Sequence, residues 1–373
     1  GNARVVRARL ADAKFFYDQD RLTTLESRVD GLRHVVYHNK LGSQYERMLR
    51  VRAIAGAIAD LIGANRAEAE RAATLAKADL RTLMVGEFPE LQGIMGEYYA
   101  HHDKEPDDVA LAIREHYQPR YAGDALPSTP VSLAVALADK LETLVGLFGI
   151  GQLPTGEKDP FALRRHALGV LRMLIEKELH VSLPEMIDAA WAAEKEVPGV
   201  TDNRPALAEF FADRLRVMLR DRGATAQEAD AILALNLAKL ADIPKRLAAV
   251  QAFMALPESE ALSAANKRIG NILKKVEGHV EDVIDISNLK EDAEKRLFEE
   301  LSAIEPEADV LYAEGRFEEM LVLIAKLRAP VDAFFESVMV NAEDPALRAN
   351  RLALLKRLYL VMNRVAEIAR LAK

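Results

Sequence analysis

Several residues in this chain could do chemistry. Asp79 and Asp139 are acids set in helix patterns that are otherwise apolar, and His101 and His102 close another such pattern. Acid oxygens and imidazole nitrogens are the donors that hold a divalent metal and let it activate water. Without a metal, a carboxylate on an apolar face needs a partner of its own. The loop FGIGQLPTGEKDP, residues 148–160, separates Gly151 from Gly156 by the four-residue gap of a phosphate-binding loop. Such a loop needs Lys directly after the second glycine and then Ser or Thr for magnesium; here Glu157 intervenes and Asp159 follows Lys158, so the loop is no phosphate cradle. Two basic stretches remain, acid-free but for the Asp344 that opens the second. SAANKRIGNILKK carries Lys267, Arg268, Asn271, Lys274 and Lys275, and DPALRANRLALLKRL carries Arg348, Arg351, Lys356 and Arg357. A like-charged run is most often a solvated face, but cations on helices can also hold phosphates, while Asn and planar Arg can read or stack on unpaired bases.

The elements that must position these residues read as helices. Residues 2–17 form a basic amphipathic helix with Arg4, Arg7, Arg9 and Lys14 on its polar side, most simply a solvated face. Met48, Val51, Ala55, Ile58 and Ile62 repeat at three and four along residues 43–62, and Gly63 ends that helix. Residues 66–85 are expected to continue as one helix burying Ala72, Ala76 and Leu83 on the face that includes Asp79. Asp139 lies on an apolar helix running to Phe148. After the glycine-rich loop, Asp159 can cap a further helix with Pro160 in its first turn. Residues 182–257 contain Trp191, a break at Pro198 and Gly199, and helical periods such as Phe210, Leu215 and Leu219, with no chemistry of their own. Leu183-Pro184 and Leu256-Pro257 are plausible boundaries, because the residue before proline is pushed out of the helical region. In the first basic stretch Ile269, Ile272, Leu273 and Val276 make the apolar face. Acids are concentrated between the two basic helices, and Asp344 and Pro345 cap the second.

Composition fits a large helical protein. With 373 residues, 50% of them hydrophobic, the chain can bury two or more cores. Zero cysteines exclude disulfides, thiolate metal sites and cysteine nucleophiles. No apolar run is long enough to span a membrane and no secretory signal opens the sequence, so a cytoplasmic location is expected. Alternating runs rich in Val, Ile and Thr are absent, so no strands are expected. A net charge of −8 weighs against nucleic acid as a partner, which leaves local charge to decide.

The glycine-rich block FGIGQLPTGEKDPFALRR resembles the beta subunit of the bacterial two-subunit glycyl-tRNA synthetase. So do RVVRARLADAKFF (4–16), HNKLGS (38–43), KADL (77–80), MVGEFPELQGIMGEYYA (84–100) and DPALRANRLALLKRL (344–358), in order along nearly the whole chain. The resemblance implies a glycine-tRNA ligase that uses ATP and magnesium, with the adenylate chemistry assigned to a separate alpha subunit. It implies glycine tRNA and that alpha subunit as partners, and a large N-terminal part of the family's beta subunit that this chain lacks. Neither a HIGH and KMSKS pair nor a class II arginine motif is present. No catalytic residue is therefore assigned, and the chain alone is expected to be inactive and to bind no cofactor. DPALRANRLALL also resembles the anticodon-binding domain shared with arginyl-tRNA synthetases, although Pro345 splits the Asp-Ala-Leu-Arg signature. That makes Lys267, Arg268, Asn271, Lys274, Lys275, Arg348 and Arg351 the tRNA-binding candidates. Arg351 lies four residues from Leu347 and Leu355, and is expected to pack its stem on the apolar face and aim its guanidinium at a base.

The same resemblance implies an HD domain, the helical metal-dependent phosphohydrolase fold, around Asp79, His102 and Asp139. Two departures mark that site as degenerate: Ala78 replaces the histidine that should precede Asp79, and Arg47 stands at the early histidine. A cation from Arg47, Lys77 or Arg164 paired with the buried carboxylates is expected there, and no metal. Two other readings are an active HD-type phosphohydrolase and a helical scaffold that docks the alpha subunit. The expected fold is all-α: a basic N-terminal helix (1–20), an HD-like helical bundle (21–182), a helical connector (183–257) and a helical anticodon-binding domain (258–373).

Overall fold

The computed structural model describes residues 1–373. It is all-α apart from one short antiparallel ribbon, β1 (Val36–His38) with β2 (Gly42–Ser43), joined by a turn at residues 39–41 that leads into Gly42 at a φ of +91°. A ribbon this short leaves no alternating pattern, which is why the sequence carries no strand signal. The chain divides into two compact units, residues 1–215 with 238–241, and residues 216–237 with 242–373. Residues 183–257, read as a connector, are thus divided between the two units.

The first unit holds α1 (Asn2–Asp20), α2 (Glu26–Val29), α3 (Gln44–Ile62), α4 (Arg66–Leu75), α5 (Leu83–Glu87), α6 (Ile94–His102), α7 (Asp107–Glu115), α8 (Pro130–Gly149), α9 (Leu163–Glu176) and α10 (Leu183–Glu194), with the boundary falling inside α11 (Arg204–Asp221). Its axis is α8. Thr129 caps α8 by accepting the Ser132 N–H at 3.1 Å, and Pro130 opens its first turn. Every residue from Val131 to Gly149 is buried, as befits a helix that is apolar on almost all sides and wrapped by α3, α4, α7, α9 and α10. The buried face of α3 carries Met48, Val51, Ala55 and Ile58 as expected, Ser43 caps it, and Gly63 ends it in the left-handed region at a φ of +74°.

Residues 66–85 do not form one helix. α4 stops at Leu75, a 3₁₀ turn spans Ala78–Arg81, and Thr82 caps the separate helix α5. Leu83, expected in the core, is 48% exposed. The break has a cause outside the segment. Buried Asp20 at the end of α1 accepts the Leu83 and Met84 N–H groups at 2.9 and 3.0 Å and the Tyr99 hydroxyl at 2.7 Å, so a distant carboxylate caps a new helix start. Asp159 likewise caps α9 through the Leu163 and Arg164 N–H groups at 2.8 and 3.0 Å; the helix begins at Leu163, so Pro160 precedes its first turn.

The second unit contains α12 (Ala226–Leu233), α13 (Ile243–Met254), α14 (Ser259–Lys274), α15 (Asp292–Ala313), α16 (Phe317–Ala325), α17 (Arg328–Ser337) and α18 (Pro345–Met362). Its chain end closes as a 3₁₀ turn, Ile368–Leu371, that packs on α12 and α14. The turn is fixed by the Glu367 N–H to the Ala231 carbonyl at 2.8 Å and the Ala369 N–H to the buried Asn266 amide oxygen at 3.1 Å.

Candidate functional site

Arg47 lies at the centre of the first unit's polar core. Projecting from α3 toward α8, its guanidinium donates to Asp139 Oδ1 at 2.8 Å, Glu142 Oε2 at 2.8 Å, the Thr143 hydroxyl at 2.8 Å and the Asp139 carbonyl at 3.0 Å. It also lies over the Tyr37 ring, 4.7 Å from its centroid. Arg50, one turn along, donates to Glu142 Oε1 at 3.1 Å. Glu194 from α10 is pushed up to about 9 by burial and by the like charge of Glu142, so it keeps its proton at neutral pH. Lys77 Nζ sits 3.8 Å from Asp139 Oδ1 and 3.8 Å from the Tyr117 ring centroid, and burial pushes it down to about 8. Burial opposes charge on Asp139, but Arg47 and then Lys77 override it and hold that carboxyl well below the usual range. Arg47, Lys77, Asp139, Thr143, Tyr37 and Tyr117 border a cavity of about 290 Å³ that His38, Phe161 and His166 also line.

Asp79 is buried, as expected, but it answers to the backbone. Its Oδ2 accepts the Gly93 and Gly96 N–H groups at 2.6 and 3.0 Å, and burial still pushes it up to about 6. Glycine is required at both donors: Gly93 has a φ of +83°, and a Cβ on Gly96 would meet Ile113 at 2.6 Å. His102 is not brought to this core. It is exposed at the end of α6, where Arg21 donates to its Nδ1 at 3.3 Å. Arg164 is elsewhere too, donating to the Gly156 carbonyl at 2.6 Å. The histidines that do face the cluster are His116 and His166. Both are held neutral by burial, His116 at about 3 and His166 at about 4. This set does not fit a metal. Cations already point at the Asp139 and Glu142 oxygens, and no three of His, Asp and Glu converge in ligating geometry.

In the second unit the two basic helices differ. On α14, Lys267, Asn271 and Lys274 are exposed at a spacing of four and three, so they share one face. They border a cavity of about 360 Å³ together with Tyr359 of α18 and Arg370 of the terminal turn. Lys275 is exposed at the end of α14, and the Arg268 guanidinium lies over the Phe335 ring at 4.3 Å. On α18 the cations are engaged. Arg351, expected to face a base, is buried; it pairs with the fully buried Glu294 of α15 at 2.8 Å and donates to the Met339 carbonyl at 2.6 Å. Lys356 donates to Asp282 at 2.6 Å, Arg357 to Glu305 at 2.9 Å, and half-buried Arg348 to the Ala342 carbonyl at 3.0 Å. The acidic stretch between the basic helices thus neutralises the second of them. The expectation that Arg351 reads a base is corrected: its guanidinium is the counter-charge of a buried glutamate.

Residues 1–234 match the family model described as glycyl-tRNA synthetase beta subunit, and residues 262–368 match a DALR anticodon binding domain model. The chain belongs to the glycyl-tRNA synthetase beta-subunit family. Among curated relatives, the glycine-tRNA ligase beta subunit of Leptothrix cholodnii is 60% identical over 387 residues, covering 100% of this chain and 54% of the relative. Those of Janthinobacterium sp. (strain Marseille) and Dechloromonas aromatica are 61% identical over 373 residues and 60% over 374, again covering all of this chain and 53% and 52% of the relatives. The chain spans about half the length of the curated relatives it matches. The family match encloses the whole Arg47 cluster, and the anticodon-domain match takes in α15 to α18 and most of α14. Sequence reasoning missed His116, His166, Gln227, Tyr359 and Arg370. His166 alone carried a signal, since it directly follows the family block that ends at Arg165.

Proposed function

We propose that this chain is the tRNA-recognising part of a glycine-tRNA ligase beta subunit, working with a separate alpha subunit that activates glycine with ATP and magnesium. The observation that carries the reading is the exposed Lys267, Asn271 and Lys274 face of α14 within a region similar to anticodon-binding domains. In a chain whose net charge is −8, this face keeps its cations facing solvent, while on α18 Arg351, Lys356 and Arg357 are tied to acids and Arg348 to a backbone carbonyl. No helix is long and apolar enough to cross a membrane. The Arg47 cluster serves, in this reading, to lock α3 to α8 and α10; the phosphohydrolase reading has no assembled ligand set to act through.

The test is a titration of the chain with glycine tRNA, a glycine tRNA carrying a foreign anticodon, and a non-glycine tRNA. Tighter binding of the first is expected, and equal affinity for all three would overturn anticodon recognition by this chain. The pure chain is further expected to give no glycine-dependent exchange of pyrophosphate into ATP, and exchange by the chain alone would overturn the division of labour between subunits.

A further inference from the structure

The cavity beside α14 is built more specifically than a phosphate-holding face requires. Gly270 lies between Lys267 and Asn271, and a Cβ there would stand 3.3 Å from Tyr359 Cε2, so the half-buried tyrosine ring rests directly against the helix at its one side-chain-free position. The two acids that line the cavity are already engaged: Asp230 pairs with Arg216 at 3.2 Å and Glu367 with Arg370 at 3.2 Å. Lys267 and Lys274 therefore set the charge at its mouth. The wall opposite α14 is fixed by the backbone bonds of Glu367 and Ala369, so the cavity is formed before any ligand arrives. A ring to stack on, side-chain amides from Asn271 and Gln227, and flanking cations match a nucleotide. A bare phosphate would have no use for the ring or the amides.

We propose that this cavity takes one unpaired base of the anticodon loop, with Tyr359 as the surface it stacks on, Asn271 meeting its edge, and Lys267 and Lys274 holding the adjoining phosphates. The proposal rests on the tRNA-binding reading above and adds the place and the residues. Tyr359 and Asn271 then supply discrimination, whereas the lysines supply affinity for any RNA.

The experiment measures binding of the full 373-residue chain to a hairpin with the sequence of the glycine tRNA anticodon arm, to derivatives that each lack one anticodon base, and to a hairpin with a scrambled loop. The wild-type chain is expected to bind one abasic hairpin about tenfold more weakly than the intact one, the size of effect that loss of a stacked base produces. In Tyr359→Leu that difference should vanish while the other hairpins keep their order. Tyr359→Phe should retain most of it, and Lys274→Ala should weaken every hairpin alike. Asn271 is exposed, so Asn271→Ala shrinks the same difference without disturbing the fold should Tyr359→Leu prove unstable. A penalty that persists undiminished in both variants, or no penalty at any anticodon base in the wild type, overturns the pocket alone. Failure of the wild type to prefer the intact hairpin over the scrambled one overturns the tRNA reading and the pocket with it.

Discussion

Arg351 shows how a residue's type can be right and its task wrong. Its sequence neighbours placed the stem at the edge of an apolar face, whereas the residue is buried; the partner of its guanidinium, Glu294, stands 57 positions away and is invisible to any local count of charge. Removing one member of a buried pair leaves the other charge uncompensated, so Arg351→Ala should destabilise the second unit by about 3–5 kcal/mol. Urea denaturation checks this, and an unchanged midpoint would mean that Glu294 finds another donor. Asp139 was better placed by sequence, because an acid on an apolar helix must be paired; of the expected cations Arg47, Lys77 and Arg164, the first two reach it and Arg164 does not. The neutral histidines make a pH prediction. Below the ordinary 6.5 the unfolded chain protonates His116 and His166 while the fold, holding them at about 3 and 4, does not, so their contribution to stability falls as pH drops from 6.5 toward 4. Asp79 works the other way: raised from 3.8 to about 6, it favours the fold at low pH and loses that contribution as pH rises between those values. Glu194, raised from 4.5 to about 9, acts in the same direction as Asp79, so between about pH 4.5 and 6 two groups oppose two and stability stays nearly level. Denaturation at a series of pH values measures it. His166→Gln should leave the two carboxylates in excess, so that its stability rises on acidification over that range by up to about 1.4 kcal/mol per pH unit, and a fall in that variant would mean that Asp79 and Glu194 are ionised in the fold.

At the level of elements, periodicity located α3, α8 and α14 from sequence because its signals are local: apolar residues at three and four, and Gly63 as a stop, whereas the caps Ser43 and Thr129 are seen in the structure. The segment from Arg66 to Val85 was misread for the opposite reason. Thr82 is the one local cap within it, and the rest of the cause lies outside: further capping oxygens belong to Asp20, and the anchor of its 3₁₀ turn is the loop and helix start that present Gly93 and Gly96. Asp20→Ala should therefore cost about 1–2 kcal/mol through removal of the cap. Hydrogen exchange should show faster exchange at the Leu83 and Met84 amides, while α8 stays protected. Uniform loss of protection across α8 would mean instead that Asp20 supports the whole core.

Over the whole molecule, an excess of acid conceals the exposed basic face of α14. The all-α class and the family could be read from the sequence, the first from pattern and the second from blocks spread along the chain. What could not be read was which basic helix stays free, because α15 and the segment before it supply the acids that cover α18 only once the chain is folded. That choice of helix is tested most directly by the salt dependence of glycine-tRNA binding. The chain with Lys267, Lys274 and Lys275 all changed to Ala should show a slope of log affinity against log salt shallower by about 0.7–0.9 for each phosphate that is no longer neutralised, while Lys356→Ala leaves the slope as in the wild type. An unchanged slope in the triple variant, or a change confined to Lys356→Ala, would place the RNA on another surface.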